Sequence, residues 1–363
     1  MKIACVVGAR PNFIKIAPIM KELTSFPTKF APVLVHTGQH YDPNLSDVFF
    51  QDLEIPRPTH FLEVGAGSQA EQTAAIFTRF DMLCENERFD LVLVVGDVTS
   101  TMACAVTAAK REIPVAHVEA GLRSFDRSMP EEINRIITDS ISDLLFVTEA
   151  SGVKNLEHEG HPANQIYLVG NVMIDTLLAN LDAAIKRQKW SSFNVERKRF
   201  GLVTLHRPSN VDDKKRLNTI VEQLGRLAEK LPLVFPVHPR TRKMLPGLSV
   251  SKEILMCDPI GYLDFVSLME AAAVVITDSG GIQEETTVLN VPCLTLRKST
   301  ERPITVEVGT NTLIGEDPAN LHKSFDAVLD GTYKSGNRPE FWDGKTSKRI
   351  ADVLANIVQH VGR

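Results

Sequence analysis

Two carboxylates stand where a strand would end in the first half of the chain, and a third stands where a helix would begin. Asp97 follows the apolar run Leu91–Val95 and Gly96, and Glu119 follows Val115–Val118. Glu131 opens the stretch Pro130-Glu131-Glu132-Ile133-Asn134-Arg135. A carboxylate directly after a buried strand seldom lies unpaired, because burying its charge is costly. Gathered at one sheet edge, three such groups can raise the pKa of one and supply an acid at neutral pH. Each also has a plainer reading: Asp97 as a helix N-cap, Glu131 as a charge serving a helix dipole.

Cations and glycines make up a second set. Gly8-Ala9-Arg10-Pro11 closes the first strand, and Lys15 follows it on a helix. Arg10 and Lys15 thus lie near a helix N-terminus, where amides already favour an anion. In the second half, His206-Arg207-Pro208-Ser209-Asn210 and His238-Pro239-Arg240 also follow strands. The most specific local signal is Thr277-Asp278-Ser279-Gly280-Gly281, leading into a helix with Glu284 and Glu285. A strand, a hydroxyl, two glycines and a helix start form an amide nest suited to phosphate. Arg297-Lys298 and Glu301-Arg302-Pro303 supply another cationic loop. The two sets suggest a diphosphate ligand and acid/base chemistry on the group attached to it.

Several chemistries fall away. No G-x-G-x-x-G follows the first strand, and Pro339 stands where a phosphate loop ending in Gly344-Lys345-Thr346 would need its first glycine. His158-Glu159-Gly160-His161 brings its second histidine one residue too early for H-E-x-x-H. Cys5, Cys84, Cys104, Cys257 and Cys293 share no C-x-x-C, and their irregular spacing fits a reducing compartment. Neither a metal nor a cofactor is expected.

The elements that must position these residues read as alternating strands and helices. Strands are predicted at Ile3–Val7, Val33–His36, Leu91–Val95, Val115–Val118, Leu144–Val147 and Ile166–Val169. A second set is Leu202–Leu205, Val234–Val237, Ile254–Cys257, Val274–Thr277 and Cys293–Leu296. Continuous apolar runs suit parallel strands covered on both faces. Helical stripes run through Phe13, Ile16, Met20 and Leu23, and through Leu217, Val221, Leu224, Leu227 and Leu231. This is an α/β chain of two doubly wound domains, with ligands expected at the carboxyl ends of the strands. The first domain is placed at residues 1–170 and the second at 171–345. The exposed stretch after Lys186 reads as a linker, and a terminal helix in 346–363 is expected to pack back on the first domain. A length of 363 residues agrees with two domains. A net charge of −5 argues against a nucleic-acid binder, and no apolar run is long enough to span a membrane. A cytoplasmic protein is expected.

In order along the chain stand Gly8-Ala9-Arg10-Pro11 with Lys15, Gly96-Asp97, and His117-Val118-Glu119-Ala120-Gly121-Leu122-Arg123. Then come Pro130-Glu131-Glu132-x-Asn134-Arg135, Gly170-Asn171-x-x-Ile174-Asp175, Thr277 to Gly281 with Gln283-Glu284-Glu285, and Thr300-Glu301-Arg302-Pro303. Together they resemble the non-hydrolysing UDP-N-acetylglucosamine 2-epimerases over nearly the whole chain. The resemblance implies a glycosyltransferase-B-type pair of Rossmann-like domains with the UDP-sugar in the interdomain cleft, and a homodimer. It implies interconversion of UDP-GlcNAc and UDP-ManNAc through loss of UDP, a 2-acetamidoglucal, and re-addition with inversion at C2. Carried over by position, Asp97, Glu119, Glu131 and His206 form the catalytic group. Arg10, Ser279, Gly280 and Gly281 join His206 at the diphosphate, with Lys15, His238 and Arg302 as further substrate contacts. Glu285 takes the ribose, and Pro259–Phe265, Phe265 included, supplies the uracil pocket.

Three stretches depart from the family pattern: Gln39–Leu45, where bacterial members form an activating second substrate site, His206–Asn210 and Thr300–Ile304. They resemble branches acting on modified sugars such as UDP-2,3-diacetamido-glucuronate. A glycosyltransferase, a hydrolysing relative and a non-catalytic UDP-sugar sensor are the other readings.

Overall fold

Eleven apolar runs and two short polar ones pair as parallel strands in two sheets. The computed structural model describes residues 1–38 and 55–361, except the side chains of Arg10 and of residues 358–361. The Gln39–Leu45 stretch lies outside the described residues. The chain forms two units: Met1–Thr176 with Glu340–Arg363, and Leu177–Pro339.

In the first unit the strands are β1 (Lys2–Val7), β2 (Ala31–His36), β3 (His60–Phe61), β4 (Leu91–Val95), β5 (Val115–Ala120), β6 (Leu144–Val147) and β7 (Ile166–Leu168). Their order is β3-β2-β1-β4-β5-β6-β7. Cys5 of β1 pairs with Leu34 of β2 on one side and Leu93 of β4 on the other. β4, β5 and all of β1 after Lys2 are buried on both faces, because helices cover both sides of the sheet.

In the second unit the strands are β8 (Gly201–Thr204), β9 (Leu233–Pro236), β10 (Ile254–Cys257), β11 (Val274–Thr277), β12 (Cys293–Thr295) and β13 (Asn311–Leu313). Their order is β10-β9-β8-β11-β12-β13. The helix Lys214–Ala228 buries Leu217, Ile220, Val221, Leu224 and Leu227 against this sheet. Each such side chain contributes roughly 1.5–3 kcal/mol by leaving water. Asp213 starts the helix by accepting from the amides of Lys215 and Arg216.

Sheet order reverses at β1/β4 in the first unit and at β8/β11 in the second. These are the switch points at which open α/β sheets bind ligands. Arg10, Lys15 and Asp97 follow β1 and β4, and His206 and Ser279–Gly281 follow β8 and β11.

β3 and β13 escape the sequence pattern because they are edge strands of two and three residues with polar members. The stretch after Arg187 is more than a linker. Lys189–Phe193 forms a 3-10 turn, and the Lys189 amide donates to Ser267 Oγ on the helix Tyr262–Ala271.

The terminal helix Thr346–Val361 packs on the first helix, Arg10–Thr24. Asp175 fastens its start, accepting from Thr346 N (3.0 Å), Ser347 N (2.7 Å) and Ser347 Oγ (2.8 Å). Trp342 is buried and donates from Nε1 to Thr148 O. Gly170 has φ +96°, and a Cβ there would lie 2.2 Å from Phe341 O, so only glycine fits. No described helix is long and apolar enough to cross a membrane.

Candidate active site

In the first unit, Lys15 and Glu119 form a buried ion pair, with Nζ 2.5 Å from Oε2. Lys15 comes from the helix after β1, and Glu119 from β5. Glu119 reaches this place through a kink. The β5–β6 register shifts between Val118 and Ala120, and Glu119 has φ +75°. A bulge re-aims the side chain, and a non-glycine residue in this region carries strain of the kind found at functional sites. Gly96 forms the wall beside the pair. Its φ is +70°, and a Cβ there would lie 2.8 Å from Lys15 Nζ and 3.6 Å from Glu119 Oε2.

Asp97 follows that glycine. It is not an N-cap: the next helix, Thr99–Lys110, is capped at Val98. Instead its Oδ2 meets Arg135 Nε at 3.2 Å. Glu131 lies in the first turn of the helix Pro130–Ile141 and is exposed. Three and four residues on, Asn134 and Arg135 both touch Asp97, so Glu131 shares their helix face. Its neighbour Glu132 is buried and does different work. It accepts from the amides of Ser124 and Phe125 and pairs with Arg135 at 2.6 Å. The three sequence-selected carboxylates therefore border one sheet edge, but not as a bare acidic cluster. Lys15 accompanies Glu119, and Arg135 accompanies Asp97.

In the second unit, buried Asp278 organises the loop after β8. It accepts from the amides of His206 (3.1 Å) and Arg207 (2.9 Å) and from Nδ1 of His206 (3.0 Å). Burial alone would raise its pKa; these hydrogen bonds and the His206 ring hold it below the ordinary carboxylate value. The His206 ring stays part-exposed and lies 5.7 Å from the ring of His238. Asp278 thus fixes a histidine and a chain of amides at the switch point.

Ser279, Gly280 and Gly281 begin the helix Gly280–Leu289, and the Ser279 side chain does not cap it. Arg302 lies beside this helix start. A Cβ on Gly280 would come within 3.0 Å of Arg302 Nη1 and 2.9 Å of Glu301 Oε1. Arg302 is held by Glu284 (2.5 Å) and Glu301 (2.8 Å). Glu301 also pairs with Arg297 at 2.6 Å. Burial opposes its charge, but Arg302 and Arg297 keep its pKa well below the usual range. Glu285 is buried, and its Oε1 accepts from Tyr262 Oη at 2.8 Å. Burial pushes its pKa up from 4.5 to about 7. Phe265 is half-buried on the same helix as Tyr262. Arg10 opens the first helix, and its side chain lies outside the described part of the structure.

The residues singled out from sequence, several of them buried, leave out partners that hold them: Arg135, Glu132, Asp278, Glu284, Glu301 and Tyr262. Most stand inside the quoted motifs, so adjacency to a selected residue was the available signal. No group of three or more metal-ligating side chains occurs among the described residues.

A family model described as UDP-N-acetylglucosamine 2-epimerase matches residues 21–355. The UDP-N-acetylglucosamine 2-epimerase of Methanocaldococcus jannaschii is 41% identical, covering 98% of this chain and 99% of its own. Its crystal structure in complex with UDP-GlcNAc and UDP superposes with a TM-score of 0.90, over 98% of this chain and all of that one. The UDP-2,3-diacetamido-2,3-dideoxy-D-glucuronate 2-epimerase of Pseudomonas aeruginosa is 39% identical, over 98% of this chain and all of its own. The Neisseria meningitidis UDP-GlcNAc 2-epimerase bound to UDP-GlcNAc gives a TM-score of 0.89 at 32% identity, over 98% of this chain and all of that one. With two parallel sheets, carboxylates at the ends of β4 and β5 and a glycine-opened helix start after β11, this chain belongs to the UDP-N-acetylglucosamine 2-epimerase family.

Proposed function

We propose that the chain interconverts UDP-GlcNAc and UDP-ManNAc by elimination and re-addition of UDP. The observation that carries this reading is the pairing of Asp97 and Glu119, each beside its own cation, at the end of adjacent strands. C2 of the sugar is not next to a carbonyl, so direct removal of its proton is very unfavourable. Breaking the anomeric C1–O bond sends the electron pair out with UDP and builds positive charge at C1. The C2 proton then passes to a carboxylate, and its bonding pair forms the C1=C2 bond of 2-acetamidoglucal. On return, a proton reaches C2 from the opposite face while UDP oxygen attacks C1. Electrons and atoms balance with no external oxidant or reductant.

Asp97, Glu119 and Glu131 serve proton transfer and the cationic transition state. Lys15 keeps Glu119 in register. In the second unit, the helix start at Ser279–Gly281 supplies amides for the diphosphate, with Arg302 and His206 beside it. Arg10 and His238 are proposed to complete the phosphate contacts. Glu285 takes the ribose, and the turn leading to Phe265 takes uracil. We propose a cytoplasmic homodimer.

The 39% identity to the diacetamido-glucuronate enzyme favours UDP-2,3-diacetamido-glucuronate as a second substrate reading. Both are tested together. Incubation in D2O with each UDP-sugar should place deuterium at C2 and yield the manno epimer of the true substrate. Asp97→Asn and Glu119→Gln should each slow exchange by about 10²–10⁴-fold. No C2 exchange with any UDP-sugar bearing a 2-acetamido group refutes the epimerase reading. Free UDP formed one-for-one with turnover shows a hydrolase instead.

A further inference from the structure

Three consecutive carbonyls at the end of β4 are each held by a side chain from a different element. Asn12 Nδ2 donates to Val95 O at 2.8 Å, and Thr101 Oγ1 joins it at 2.9 Å. His117 Nε2 meets Gly96 O at 2.8 Å. Asn134 Nδ2 donates to Asp97 O at 2.9 Å. These are the peptides that set where Asp97 stands and that form the wall beside Lys15 and Glu119. The middle anchor, His117, is fully buried. It lies on β5, two residues before the strained Glu119.

Its hydrogen bonding is determined by its neighbours. Gly96 O can only accept, so Nε2 carries a hydrogen. Nδ1 lies 2.6 Å from Asp139 Oδ1. Burial opposes a charge on Asp139, but His117 and Arg123 outweigh it and hold its pKa below the ordinary value. Asp139 is thus an acceptor too, and Nδ1 also carries a hydrogen. Behind Asp139, Arg123 Nη1 sits 2.7 Å from Oδ2 and grips Glu159 with its other nitrogens at 2.8 and 2.6 Å. The Gly121 amide donates to the same Oδ2 at 3.1 Å. Glu159, Arg123 and Asp139 stand in a row behind His117, so its Nδ1 faces a carboxylate that is itself fixed by Arg123 and the Gly121 amide.

We propose that His117 is a positioning residue of the epimerisation, donating from both ring nitrogens to fasten the Asp97 turn and the Glu119 bulge to Asp139 without touching the sugar. The proposal rests on the function given above, and its test separates the two. His117→Phe keeps a ring and removes both donors. The expected result is a fall of about 100-fold in kcat, the scale of a misplacement near 1 Å. KM for the UDP-sugar should stay within about threefold, and the shape of the pH–kcat profile should be unchanged. His117→Gln retains a donor towards Gly96 and should recover about tenfold. In the unliganded wild type, nitrogen NMR should show two slowly exchanging N–H protons on His117.

Full kcat in a folded His117→Phe overturns the proposal, as does a rise in KM alone. Loss of one limb of the pH profile also overturns it, because His117 would then exchange protons with substrate. If His117→Phe does not fold, His117→Gln replaces it; a kcat-only fall of about tenfold supports the proposal and an unchanged kcat refutes it. A wild type inactive on every UDP-sugar refutes the function; the NMR spectrum then decides, and a single N–H signal on His117 overturns the positioning role.

Discussion

Glu285→Gln should stabilise the second unit at neutral pH and weaken its hold on UDP. Glu285 is 3% exposed, and its partner is the Tyr262 hydroxyl. Burial, aided by neighbouring Glu284, moves its pKa from 4.5 to about 7 despite that hydrogen bond. Below pH 4.5 the carboxyl is protonated in both the folded and unfolded chain. Between 4.5 and about 7 the unfolded chain releases the proton while the folded one keeps it, so stability falls as pH rises. Above about 7 the loss is complete. At about 1.4 kcal/mol per pH unit it amounts to about 3 kcal/mol. Glutamine cannot ionise, and its Oε1 can still accept from Tyr262. At pH 8 the variant should therefore be more stable by about 2–3 kcal/mol, and at pH 4.5 the two should agree within about 1 kcal/mol. Urea unfolding from pH 4.5 to 8, followed by Trp190 fluorescence in a Trp342→Phe background, reads the second unit. In the proposed complex the ribose hydroxyls donate to the Glu285 carboxylate, so wild-type UDP affinity should rise with pH towards 7. The variant should lose that added dependence and bind about tenfold more weakly. A wild-type–variant stability difference that stays flat across this range refutes the reasoning.

Gly280→Ala drives a methyl against Glu301 and Arg302. It should lower stability by about 1–2 kcal/mol and UDP affinity about tenfold, read by calorimetry, while the Lys15–Glu119 side is unaffected. Asp175→Ala removes the acceptor for Thr346 N, Ser347 N and Ser347 Oγ. It should cost about 2 kcal/mol. In limited proteolysis the segment after Glu340 should become the first to be cut, and an unchanged cleavage pattern refutes the clasp.

The sequence pattern revealed strands wherever burial on both faces forced continuous apolar runs, as in β1, β4 and β11. It missed β3 and β13, because an edge strand of two or three residues has too few positions to show a period. The switch-point residues were legible because glycine, proline and charge interrupt apolar runs there. Their partners were not. Asp278 reaches back to His206 and Arg207, Asn134 and Arg135 reach back to Asp97, and Lys15 crosses to Glu119. Only the folded sheet brings such residues together. Glu131 and Glu132 show the limit most plainly. Adjacent in sequence, they lie about 100° apart around the helix, and one faces solvent while the other clamps a loop.

The return of residues 340–361 to the first unit has a consequence for biosynthesis. The stretch Leu177–Pro339 is continuous and can form its sheet as it leaves the ribosome. The first unit cannot be finished then, since Trp342 and the helix Thr346–Val361 are made only after the whole of the other unit. At about 5–20 residues per second, the β1–β7 sheet waits about 10–40 s with its Thr148 carbonyl and the face of the helix Arg10–Thr24 uncovered. During that interval the nascent first unit, with its apolar surface exposed, is the natural client for a chaperone, and Asp175 is the acceptor that ends the wait.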